Sequence, residues 1–279
     1  MRIINSKEIY DAVYSSALYC TSHEDKATLC ALEKASAEET NPTSKFALDT
    51  IIGNHKLAAE KDLPMCQDTG MAVVFIEIGQ DAHIEGGYLE EVVNNAVRDA
   101  YRDGYLRKSV LDPLTRINTK DNTPAVIHYS IIPGDKVRVH FLAKGFGSEN
   151  MSKLYMLTPA AGINGIKKSV VETVRVASGN PCPPVIVGVG IGGTMEKCAI
   201  LAKQALLCGT GVHNPDPEIA KLETELLDEI NALGVGALGF GGKTTALSVN
   251  ILTYPTHIAG LPVAVNIQCH AVRHRTTEI

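Results

Sequence analysis

Tryptophan is absent from this 279-residue chain, and phenylalanine is sparse, with five. No run of about 18 uncharged apolar residues occurs, which excludes a membrane-spanning helix. Met1 to Asp11 lacks the apolar stretch of a secretory signal. Positive charge is not in excess either. The 26 Lys and Arg face 31 Asp and Glu, for a net charge of −5, and no long basic run appears. That balance argues against nucleic acid as the main partner, so an anionic ligand would have to be drawn by a few local Arg or Lys. Closely spaced cysteine pairs are missing as well. Seven cysteines, an odd number, stand apart in a chain without a signal, which points to a reducing cytoplasm and to free thiols or metal ligands.

What is present is enough for a full-sized core, with 45% apolar residues. The first sixty residues read as helical: Ile9 to Cys20, Lys26 to Glu39 and Lys45 to Glu60, broken at Asn41-Pro42. Met71 to Ile78 reads as a buried strand, and Leu89 to Tyr101 as an amphipathic helix. A hairpin is expected around Pro133-Gly134-Asp135, and a loop at Lys144 to Asn150 opening into a helix near Met151. Ile166 to Ala177 is a further helix. Val185 to Val189 is a strand leading into a helix that ends at Gly209. Asp216-Pro217 opens another helix, which Gly234 stops. Ala246 to Leu252 and Val263 to Ile267 close the fold. Strands and helices intermingle without a strict βαβ beat, so the chain reads as mixed α/β (α+β), a helical block followed by one intermingled unit. A single domain over 1–279 is expected.

Four cysteines, Cys20, Cys30, Cys198 and Cys208, lie in helix-like apolar patterns and read as core. Cys66, Cys182 and Cys269 differ, because each sits among polar, Pro or Gly residues that end or join apolar runs. They are separated by 116 and 87 residues, which excludes a local zinc knuckle and ferredoxin spacing. Converging, three thiolates would hold a four-iron cluster by three corners, but no spacing rule shows that they converge. Asp68, two residues beyond Cys66, either faces what that thiol binds or closes an Asx turn. His257 follows Tyr-Pro-Thr in a loop and is either structural or functional. Arg107 has the fork that grips carboxylates, as do many surface arginines. Gly188-x-Gly190-x-x-Gly193 matches a dinucleotide fingerprint but lacks the acidic strand end about 20 residues on. It reads better as a tight strand-to-helix turn, with the amides of Gly192 to Met195 open to a carboxylate.

Taken together, Cys-Gln-Asp-Thr-Gly, Ala-Lys-Gly-Phe-Gly-Ser-Glu-Asn, Cys-Pro-Pro-Val-Ile-Val-Gly-Val-Gly-Ile-Gly-Gly-Thr and the closing Gln-Cys-His resemble the class I iron–sulfur fumarase and L-tartrate dehydratase family. The likeness runs from about residue 10 onward and matches the α subunit of the two-subunit forms. It implies a [4Fe–4S] cluster on Cys66, Cys182 and Cys269, whose fourth iron takes the substrate's hydroxyl and a carboxylate. It also implies substrate contacts from Gln67 and Asp68, with Asp68 in proton transfer, and a carboxylate clamp from Arg107. Gly145 to Gly147 would turn backbone amides toward the dicarboxylate, and His257 would hydrogen-bond substrate or a catalytic side chain.

The expected reaction is reversible hydration of fumarate to (S)-malate. Tartrate dehydration is the alternative, and fumarate is preferred because the Ala-Lys-Gly-Phe-Gly-Ser-Glu-Asn segment is closer to the fumarase branch. The fused enzymes carry a further C-terminal domain that is not in this sequence. A separate β subunit is therefore expected, in an α2β2 assembly or on an α homodimer, with no turnover by this chain alone. An open iron also implies oxygen sensitivity. A cluster-binding sensor without turnover and a dinucleotide oxidoreductase are the rival classes.

Overall fold

The computed structural model describes residues 1–279. In chain order its elements are β1 (Arg2–Asn5), α1 (Ser6–Ser22), α2 (Lys26–Glu38), α3 (Pro42–Lys61), β2 (Met71–Gly79), β3 (Ala82–Glu85), α4 (Leu89–Asp103), β4 (Val126–Ile132) and β5 (Val137–Lys144). There follow α5 (Phe146–Glu149), β6 (Lys153–Leu157), α6 (Gly162–Ala177), β7 (Val185–Gly192), α7 (Met195–Ala205), α8 (Pro217–Asn231), β8 (Ala246–Tyr254), β9 (Leu261–Gln268) and β10 (His274–Glu278). The mixed α/β class and the helical opening block hold.

The chain divides into two compact units, Met1–Glu24 with His55–Phe146 and Arg273–Ile279, and Asp25–Asn54 with Gly147–Val272. One crossing, between Asn54 and His55, falls inside α3, and another, between Phe146 and Gly147, falls within Gly145-Phe-Gly-Ser148.

The first unit is built on a four-stranded sheet ordered β10-β5-β2-β4. Residues Ala72 to Ile76 of β2 are buried, and each large side chain so buried contributes roughly 1.5–3 kcal/mol. α1 and α4 lie against this sheet and each other, through Ile9, Val13 and Ala17 of α1 and Val93, Val97 and Tyr101 of α4. The i, i+4 spacing of these residues makes one apolar stripe per helix. Asn5 caps α1 by accepting from Lys7 N–H at 2.9 Å, while Glu8 returns to the Asn5 N–H at 3.1 Å.

The hairpin expected at Pro133 to Asp135 does not form. β2 inserts between its two arms, parallel to β4 and antiparallel to β5. The reason is hydrophobic. β2 is the most apolar strand and takes the doubly paired interior place, whereas β4, with exposed Tyr129 and Ile131, stays at the edge.

The second unit carries a sheet ordered β6-β9-β7-β8. α6 and α8 pack through Val170, Val174, Leu226 and Ile230 onto Val187, Val189, Val249 and Val265. Asp216 caps α8 by accepting from Glu218 N–H, with Pro217 at the first helical position. The helix expected near Met151 is instead the short α5, and Lys153 to Leu157 forms β6 along the otherwise open edge of β9. Gly188 and Gly190 lie inside β7, where a Cβ would run into the carbonyls of Ala202 and Cys198 on α7. The glycine pattern thus serves close helix-to-strand packing. Of the four cysteines read as core, Cys20 and Cys198 are buried, Cys208 is half-buried and Cys30 is exposed on the outer side of α2.

Candidate active site

In the first unit the loop Cys66-Gln67-Asp68-Thr69-Gly70 leads into β2 and is held at every polar residue but its first two. Oδ1 of Asp68 accepts from Gly70 N–H at 2.9 Å, which is the Asx turn, and Oδ2 accepts from Phe146 N–H at 2.9 Å. The main-chain carbonyl of Asp68 accepts from Nη1 of Arg273. The hydroxyl of Thr69 donates to the Arg107 carbonyl at 3.1 Å, which brings Arg107 beside this loop with its side chain exposed. Buried Tyr101 on α4 donates its hydroxyl between the carbonyls of Thr69 (2.9 Å) and Gly70 (3.0 Å). Burial raises the Tyr101 pKa well above the usual phenol range, so it remains a donor. Asn122 adds a contact to the Gly70 carbonyl at 3.2 Å.

Gly70 has φ +81°, and a Cβ there would lie 2.6 Å from the Ala143 carbonyl carbon. β5 passes that close because Met71 pairs with Lys144. The first unit therefore gathers Cys66, Gln67, Asp68, Arg107 and Gly145 around one loop. Cys66 and Gln67 are exposed and Asp68 half-buried.

Two cations at this place were not read from the sequence. Arg273 is 2% exposed and Lys144 1% exposed. Nζ of Lys144 donates to the Gly145 carbonyl at 3.2 Å. Gly145 has no room for a side chain, since a Cβ would stand 2.5 Å from Nη2 of Arg273 and 3.4 Å from Oδ2 of Asp68. The only available signal was position: Lys144 abuts the glycine turn, and Arg273 follows Cys269 by four residues.

In the second unit, β7 and β9 are antiparallel with Ile186 opposite Gln268. Cys182, before β7, and Cys269, after β9, therefore flank the same end of the sheet. The His270 N–H points at the Cys182 carbonyl at 3.5 Å. Cys182 has φ +55° and is exposed, and Cys269 is half-buried. Gly147 lies at the same end, its Cβ position 3.8 Å from the Asn180 carbonyl.

His257 does not. It sits in the β8–β9 loop at the opposite end of β9, about 26 Å from Cys269 by strand length. There Thr256 donates to the Gly193 carbonyl at 2.9 Å, and Nδ1 of exposed His257 accepts from Ala259 N–H at 3.2 Å. His257 edges an apolar cavity of about 370 Å³ with Ile163, Ile166 and Leu261.

A family model described as "Fumarate hydratase (Fumerase)" matches residues 10–278. The chain belongs to this fumarate hydratase family. It is similar to a Methanocaldococcus jannaschii protein described as "Putative L(+)-tartrate dehydratase subunit alpha", 45% identical over 255 residues, covering 89% of this chain and 90% of that one. It is also 31% identical over 249 residues to the Escherichia coli K12 "L(+)-tartrate dehydratase subunit alpha", covering 88% and 82%. A hydratase adds water and a dehydratase removes it, so the family's chemistry is that of a hydro-lyase.

No group of three His, Cys, Asp or Glu side chains is disposed to hold a single metal ion. What bears on a cluster is the donor set: Cys66, Cys182 and Cys269 are all outside disulfides, all in loops at strand ends, and soft thiolates are the ligands of iron–sulfur clusters. Beside Cys269, buried Gln268 donates Nε2–H to the Ala271 carbonyl at 2.7 Å, with the same nitrogen 3.8 Å from the Cys269 sulfur. Its Oε1 is buried without a partner. The donor set fits. No helix is long and apolar enough to cross a membrane.

Proposed function

We propose that this chain is the α subunit of a hydro-lyase that adds water to fumarate, or removes it from (S)-malate, in company with a separate β subunit. The observation that carries this reading is the fully tethered Asp68 in a loop that also offers Cys66, Gln67 and Arg107. Cys66, Cys182 and Cys269 would hold a [4Fe–4S] cluster, which when bound supplies Lewis acidity at its one iron without a thiolate.

The remaining work belongs to side chains. Removing water from malate needs a proton on the departing hydroxyl and loss of a proton from the neighbouring carbon. Asp68, its carboxylate aimed by two backbone N–H groups, carries the proton at the hydroxyl. Exposed Arg107 and Gln67 grip a carboxylate of the substrate, Arg107 through its two-pronged fork. Positive charge there also stabilises the dianion that develops when the carbon proton leaves. That second proton goes to a base of the β subunit. His257, at the far end of β9 from Cys269, is given no step.

The relatives' names favour a second reading, L(+)-tartrate, which differs from malate by one hydroxyl. One experiment serves both. The chain is reconstituted anaerobically with iron and sulfide, mixed with a β-type partner, and assayed on fumarate, (S)-malate and L(+)-tartrate. Turnover of fumarate and malate alone supports the first reading, and turnover of tartrate alone replaces it with the second. No turnover of any of them by a cluster-loaded complex sinks the hydro-lyase assignment and leaves a cluster-binding module.

A further inference from the structure

Arg273 is the one guanidinium that the first unit buries almost completely, at 2% exposure. Its backbone opens β10, with its carbonyl accepting from Ala143 N–H at 2.9 Å. Its side chain then runs past Gly145 to the Asp68 carbonyl, with Nη2 only 2.5 Å from where a Cβ of residue 145 would stand. All three oxygens of Asp68 are thereby held by different parts of the unit. Gly70 takes Oδ1, Phe146 takes Oδ2, and Arg273 takes the main-chain oxygen. The charge of Arg273 also reaches buried His55, itself 3.5 Å from the equally buried Glu24.

We propose that Arg273 is a positioning residue for Asp68, fixing the peptide from which the carboxylate projects and the glycine turn that holds one of its oxygens. The proposal rests on the reading of Asp68 as the proton carrier. A guanidinium suits the task because it is flat and rigid, so that Nη1 reaches the Asp68 carbonyl while Nη2 fills the space beside Gly145, a shape a lysine ammonium does not have. At 2% exposure it is shut off from substrate, so it acts through Asp68. Gly145 follows from the same geometry, since any side chain there would displace the fork.

The test compares wild type with Arg273→Gln and Arg273→Lys. Amide hydrogen exchange is read at Phe146 and Gly70, with Ile76 in β2 as internal reference, and steady-state kinetics on the cluster-loaded complex with its β partner. Expected is exchange at Phe146 and Gly70 faster by about tenfold or more in both variants with Ile76 unchanged. With it, kcat should fall at least about tenfold while KM stays within about twofold, because the lost interaction acts on the reacting group and not on substrate affinity.

Unchanged exchange at Phe146 overturns the proposal, and so does equal acceleration at Ile76, which would make Arg273 a general core residue. Should Arg273→Gln not fold, Gly145→Ala displaces the fork from the other side and must give the same local exchange pattern. Wild-type complex inactive on every substrate would remove the functional reading, while the exchange arm would still decide whether Arg273 fixes the loop.

Discussion

The Phe146 N–H and Oδ2 of Asp68 meet at 2.9 Å across 78 residues of chain. This bond ties the loop before β2 to the turn after β5, and it depends on β2 and β5 being antiparallel neighbours with Met71 opposite Lys144. The sheet order thus sets the candidate catalytic carboxylate.

Asp68→Ala should remove two charge-assisted hydrogen bonds and lower stability by about 1–2 kcal/mol, the half-exposed position moderating the loss. Hydration by the assembled enzyme should fall by about a hundredfold or more. Urea unfolding and steady-state rates check the two parts. A variant of normal rate would take Asp68 out of the proton path.

Gly145→Ala should destabilise by about 1–3 kcal/mol, because a methyl 2.5 Å from Nη2 of Arg273 leaves no room for both. Gly147→Ala, 3.8 Å from its nearest neighbour, should change stability by less than about 0.5 kcal/mol. Thermal melts of the pair should separate them clearly, and equal melts would contradict the geometry.

Acid should weaken the first unit through His55, which is 1% exposed. Burial, and after it the charge of Arg273, push its pKa from 6.5 down to about 4. The unfolded chain therefore binds this proton first as pH falls. Stability from neutral His55 is full above about 6.5, declines as pH drops and is lost by about 4, a change of roughly 3 kcal/mol. Urea titrations from pH 7.5 to 4.5 should show the decline in wild type and a shallower one in His55→Gln. Identical slopes would mean that His55 does not titrate this way.

Gly190→Ala should cost about 2–3 kcal/mol by pushing α7 off β7, where the Cys198 carbonyl occupies the Cβ position. NAD should leave the melting temperature unchanged, whereas a bound dinucleotide would raise it. A rise with NAD would restore the nucleotide reading of Gly188 to Gly193.

Reconstituted protein should lose its cluster absorbance in each of Cys66→Ser, Cys182→Ser and Cys269→Ser, and keep it in Cys30→Ser and Cys208→Ser. Chelation of iron from wild type should abolish turnover, and iron with sulfide under thiol should restore it. A cluster that survives loss of Cys182 would break the ligand set.

Long periodic segments were legible in the sequence. The stripe from Leu89 to Tyr101 became α4, the Asp216-Pro217 cap opened α8, and the apolar run at Met71 became β2. Pairing was not legible, because the sequence order of β4 and β5 says nothing about β2 entering between them. The short strands β1, β3 and β6 escaped for a related reason, since neighbouring strands and not their own pattern hold them. The candidate loop at Cys66 was found by its residue types. Arg273 was missed because its importance lies in reaching a carbonyl 205 residues away, which no local pattern records. The far position of His257 from Cys269 follows from the direction of β9, and that too appears only once the strand is placed.

β5 and β10 are antiparallel neighbours, yet His140 and its partner Thr276 are 136 residues apart. During translation at about 5–20 residues per second, the ribosome delivers β5 roughly 7 to 27 seconds before β10. For that interval one edge of the nascent sheet is open, the kind of edge that invites mispairing and chaperone capture. Arg273 emerges only with β10, so Asp68 is synthesised early but anchored late. Ribosome-stalled chains that end before residue 273 should therefore display the loop held by Gly70 and Phe146 but without the Arg273 bond to the Asp68 carbonyl.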